Sequence, residues 1–136
     1  MKPKYGRLED SQIWKNIFEL TKQVQGEYDA LPEDDKFPYE YDLKSEAIAC
    51  LKYAAEAAGS IDPRDRTWQL GLTRSRLFSV KSTLKLIYGY KLLDVNPELM
   101  VLIEDTVKLI DAESSVMPTQ LKEWQKAFDL PKRKEQ

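Results

Sequence analysis

The chain has 136 residues, which suits one domain able to bury about two thirds of its unfolded surface without a disulfide or metal staple. It has no histidine and one cysteine, Cys50, so a disulfide framework within the chain and a Cys/His zinc site are both excluded. With 42% hydrophobic and 32% charged residues, a formal net charge of −2 and a pI near 5.3, it has the profile of an ordered, slightly acidic domain.

Glycine is scarce and Ala, Leu, Lys and Glu are plentiful, which favours helix over sheet. The start, MKPKYGRLED, lacks the apolar core of a signal peptide. No run approaches the roughly 18 apolar residues of a membrane span. No membrane partner and a cytoplasmic location are therefore expected.

The first helix is predicted from about Ser11 to Leu31, capped by Asp10 or Ser11. Ile13, Ile17, Leu20, Val24, Tyr28 and Leu31 recur at three- and four-residue steps and form one stripe. The run LPEDDKFP, with Pro32 and Pro38, reads as an acidic loop that stops it. A second helix is expected over about Tyr39 to Ala58. Leu43, Ala47, Leu51, Ala54 and Ala58 make its inner face, with Ile48 and Ala55 beside them. Gly59 fits the residue just past the helix end, where φ > 0 is needed. Cys50 falls inside this Ala-rich run and reads as a small core residue.

The third helix starts at Asp62 as cap with Pro63 at its first position, and is expected to reach about Leu92. Asn96 and Pro97 repeat that signal for a fourth helix, whose Leu99, Leu102, Ile103, Thr106, Leu109 and Ile110 face inward. Beyond Ser114, Pro118 opens a short amphipathic segment with Leu121, Trp124 and Phe128 on one side. The final PKRKEQ is polar and expected to fray. The fold class is all-α: an antiparallel up-down four-helix bundle over residues 11–113, with an N-terminal extension (1–10) and a C-terminal helical extension (114–136).

Charge is unevenly placed on the last two long helices. The segment from Arg66 to Leu93 carries Arg66, Arg74, Arg76, Lys81, Lys85 and Lys91 and no acid, whereas Asp94 to Glu113 is rich in Asp and Glu. Arg74, Lys81 and Lys85 fall within about 40° on a helical wheel. The apolar arc is wide, with Leu77, Val80, Leu84 and Ile87 extended by Trp68, Leu72, Leu86, Tyr90 and Leu93. That width fits either a central helix packed on two sides or one that also meets a second subunit. Arg76 lies inside the arc and needs a carboxylate, for which Glu46 and Glu56 are candidates. The basic stripe fits either a face neutralised by the acidic fourth helix or a surface for phosphates, with Tyr88 available for stacking.

Catalysis needs positioned acid, base, nucleophile or metal groups. Without histidine, with Cys50 in the core, and with no GxxxxGK[ST] or GxGxxG loop, an enzyme is not expected, nor a cofactor or metal.

The segment LPEDDKFPYEYDLKSEAIACLKYAAEAAGSIDPRDR, followed by LGLTRSRLFSVKSTLKLIYGYKLLD, resembles proteins related to the accessory variability determinant (Avd) of diversity-generating retroelements. These are four-helix-bundle proteins, and their superfamily also includes the proteins encoded in large-subunit rRNA intervening sequences. The landmarks are Leu31-Pro32, the Tyr39 to Leu43 helix start, Glu56-Ala57-Ala58 and Tyr90-Lys91-Leu92-Leu93, over about residues 11 to 113. The Glu56-Ala57-Ala58 wording is more similar to the Avd branch. The resemblance implies a homopentameric barrel that binds nucleic acid (RNA, DNA or both) and a reverse transcriptase, and that supports template-primed cDNA synthesis in mutagenic retrohoming without catalysing it. On that reading Arg66, Arg74, Lys81, Lys85 and Lys91 contact nucleic acid, and Trp68, Leu72, Arg76, Leu86 and Tyr90 form the subunit interface. The alternatives are a protein-interaction adaptor that binds no nucleic acid, and an rRNA intervening-sequence-type bundle protein.

Overall fold

The computed structural model describes residues 7–128, and every regular element within them is helical. A 3-10 turn, Leu8–Asp10, leads into α1 (Gln12–Ala30). Helix α2 (Glu33–Tyr39) runs through a π-helical stretch, Glu40–Ser45, into α3 (Glu46–Gly59). Then come α4 (Pro63–Gly89), α5 (Pro97–Ser115) and α6 (Met117–Phe128). No described helix is long and apolar enough to cross a membrane.

Three helix starts follow from their cap residues. The Ser11 hydroxyl accepts from the Trp14 N–H, the Asp62 carboxylate from Arg64, and the Asn96 side-chain carbonyl from Leu99. Each satisfies one of the N–H groups that a helix start leaves without an intrahelical partner. Pro63 and Pro97 occupy first positions, where the missing N–H costs nothing.

Helix α1 packs on α3 and α5, and α4 packs on the same two from the other side. Between them lie Ile17, Leu20 and Val24 of α1, Cys50 and Ala54 of α3, Leu77, Val80, Leu84 and Ile87 of α4, and Leu99, Ile103 and Ile110 of α5. Each row recurs at three- or four-residue steps, with the buried Thr106 filling the α5 row between Ile103 and Ile110, so each helix turns one stripe to the common core. Small residues at Ala47, Ala54, Ala57 and Ala58 line the buried side of α3, which shares with α4 the most extensive contact among the described elements.

Several local expectations are corrected. Pro38 does not end a loop; it sits inside α2. The acids Glu33, Asp34 and Asp35 occupy the first turn of that helix, at the positive end of its dipole. Pro38 removes one helical donor, and the wide turns that follow carry the backbone past the defect into α3. Ile48, expected beside the inner face, is exposed. Residues 131–136, expected to fray, lie outside the described residues.

The left-handed residue is also not where glycine suggested. Gly59 remains in α3, and Ser60 caps it in extended backbone. Instead α4 stops at Gly89, and Lys91 takes φ 61. The Leu92 N–H donates to the Ile87 carbonyl and the Lys91 N–H to that of Tyr88, the two bonds of a Schellman cap. The cap closes over Leu92, which packs against the core. A side chain at φ > 0 carries a steric cost that glycine escapes. Lys91→Gly should therefore stabilise the fold by about 0.5–1 kcal/mol, seen as a higher denaturant midpoint at unchanged slope.

Candidate functional site

The long helix α4 presents three different faces. Toward the core it buries Leu70, Thr73, Leu77, Val80, Leu84 and Ile87. Toward α5 it carries the basic stripe, and away from the core it carries an apolar row.

The stripe is largely neutralised within the chain. The Arg74 guanidinium donates to both Asp111 carboxylate oxygens, at 2.7 and 3.3 Å, and stacks over the Phe78 ring 4.8 Å away. The Asp111 hydrogen bond holds Arg74 still further into its protonated range. The Lys81 ammonium meets Glu104 at 3.3 Å. Between the two helices a groove of about 220 Å3 is lined by Phe78, Ile103 and Val107, with Lys81, Glu104 and Lys108 at its rim. Of the residues assigned to nucleic acid, Lys85 and Lys91 stand exposed outside any ion pair among the described residues.

Arg66 does not belong to this face. It is 5% exposed and donates to the Ser60 carbonyl at 3.1 Å and to the Gln120 side-chain carbonyl at 3.0 Å. It therefore ties the start of α4 to the end of α3 and to α6. The sequence held a signal for this: Arg66 precedes Leu84 by 18 residues, about five full turns, and so shares its buried face. Next to it, the Arg64 guanidinium lies 5.9 Å from the Trp124 ring, and Trp124 packs on Phe128.

The apolar row looks outward. Trp68 and Tyr90 are each 66% exposed and Leu86 is 49% exposed, with Leu72 half-buried between them. Arg76 edges this row, and its partner is Glu46 of α3, with N–O distances of 3.1 and 3.3 Å. Glu46 is itself buried, so the pair anchors the row to α3 and answers the need for a carboxylate. Glu56, the other candidate, is exposed. Cys50 lies under this contact with no exposure. Burial, and next the Glu46 charge, push its thiol up to about 12, which leaves it protonated and unreactive. No group of acidic, Cys or His side chains that could hold a metal ion occurs among the described residues.

Comparison with protein-family models, with curated proteins and with solved structures returned no match to this chain.

Proposed function

We propose that this chain is a non-catalytic accessory protein of the Avd-like kind, an antiparallel up-down four-helix bundle of α1, α3, α4 and α5 with α6 as its extension. It self-associates in the cytoplasm and serves as a binding partner for a reverse transcriptase and its nucleic-acid template. No catalytic residue, metal or cofactor is assigned. The order of cross-helix contacts supports the bundle. Residue 46 meets 76 and 50 meets 73, 16 meets 106 and 23 meets 98, and 74 meets 111 and 81 meets 104. In each pair the partner number falls as the number rises.

The observation that carries the reading is the outward row of α4. A run of exposed aromatic and leucine side chains opposite a complete core is what an assembly surface buries. Trp68, Leu72, Leu86 and Tyr90 supply its apolar contacts, and Arg76 is held at its rim by Glu46.

Two ion pairs, Arg74–Asp111 and Lys81–Glu104, favour a second reading: an adaptor that binds protein and no nucleic acid. Binding of a single-stranded RNA over a salt series separates the two. In the accessory reading affinity falls steeply with salt, and Lys85→Gln and Lys91→Gln each lower the slope of log affinity against log salt by about 1. No binding at low salt leaves the adaptor reading in place.

A further inference from the structure

The outward row of α4 reads alike in both directions about Ser79. Trp68 and Tyr90 stand eleven residues on either side of it, Leu72 and Leu86 seven, and Ser75 and Thr83 four. All fall within about 80° on one face. Aromatic, leucine, small hydroxyl, serine, small hydroxyl, leucine, aromatic is a palindrome in chemistry as well as spacing.

We infer that α4 pairs antiparallel with α4 of a second copy across a two-fold axis at Ser79, which deepens the self-association proposed above and rests on it. An interface across a two-fold must be self-complementary, since residue i meets j and j meets i. The palindrome satisfies that condition along its whole length: Trp68 meets the partner's Tyr90, Leu72 the partner's Leu86, Ser75 the partner's Thr83, and Ser79 its own copy. A head-to-tail ring, such as the pentamer that the resemblance implies, joins two different surfaces and has no use for such a pattern.

The sizes agree with the pairing. Small side chains at the centre let two helices cross closely, and the gap widens toward the ends, where the large rings sit. Charge agrees as well. The row is uncharged over roughly 33 Å of helix, so antiparallel pairing sets no like charges opposite each other. Arg74, Lys81 and Lys85 lie more than about 100° round the helix. Arg76, at the edge, already has Glu46, so a second copy covers no unpaired cation. The Thr83 hydroxyl donates to the Ser79 carbonyl at 3.1 Å and enters the contact with its donor satisfied.

Light scattering after size exclusion should give twice the 15.8 kDa chain mass. Under mild oxidation with copper–phenanthroline, Ser79→Cys should form a disulfide-linked dimer. The native chain should not, because Cys50 is buried. Trp68→Cys should not link to itself, but should link to Tyr90→Cys in a mixture. Leu86→Glu should raise the dimer Kd roughly a hundredfold, with an unchanged circular dichroism spectrum. A monomer at about 100 μM would overturn both this inference and the self-association on which it rests. A larger ring, or a dimer in which Ser79→Cys fails to link, would overturn the two-fold pairing alone.

Discussion

Leu84→Ala should destabilise the protein by about 2–5 kcal/mol, while Leu86→Ala, two residues on, should leave the stability of the single chain nearly unchanged. Leu84 has no exposure and sits among Val80, Ile87 and the facing rows of α1 and α5. Truncating it loses buried methyl groups and leaves a cavity that the surrounding helices can only partly close. Leu86 is half exposed on the outward row, so the single chain loses little transfer free energy there. A loss of that size at Leu84 is a large fraction of the roughly 5–15 kcal/mol that holds a domain folded. Urea denaturation of both variants, carried out at dilutions where association is absent, reads the contrast. Equal losses at the two positions would contradict the assignment of the α4 faces.

Arg66→Leu should cost about 2–3 kcal/mol and loosen α6. The guanidinium donates to a backbone carbonyl beyond α3 and to Gln120 of α6 in a site that water hardly reaches. A leucine there leaves the Ser60 carbonyl and the Gln120 side chain without this charged donor, and an unsatisfied buried acceptor costs its full desolvation. Limited proteolysis should then cut within 117–128 faster than in the native chain, while α1 to α5 remain resistant. The same variant should bind RNA no more weakly than its reduced stability explains. A loss of affinity in a fully folded Arg66→Leu protein would return Arg66 to the nucleic-acid face.

Helices α1, α4 and α5 and their inner faces were legible because each of these signals acts locally. Ser11, Asp62 and Asn96 cap through their own side chains, and the stripes on α1 and α5 repeat with the helical period, so neither depends on distant partners. Pro38 departs from the sequence expectation because proline is a breaker only when nothing compensates; here a π-helical stretch absorbs the missing donor. Lys91 was opaque for the opposite reason, since the turn is enforced by Leu92 entering the core and not by a residue that favours it. The basic stripe was visible as a stripe, but its neutralisation depends on how α4 and α5 slide past each other. The seven-residue spacing of Arg74 and Lys81 matches that of Glu104 and Asp111, a match that gains meaning only once the helices are known to be neighbours.

Cys50 gives the protein a reporter of its own opening. Its sulfur lies fully covered, 3.9 Å from the Thr73 carbonyl, between α3 and α4, the pair with the most extensive contact among the described elements. A thiol reagent in solution can reach it only when those helices separate, and the chain has no other cysteine to confuse the signal. The labelling rate, divided by that of a free thiol at the same pH, is then the fraction of time the pair stands apart. Breathing of the fold can thus be timed in the native chain, without a probe that alters what it measures.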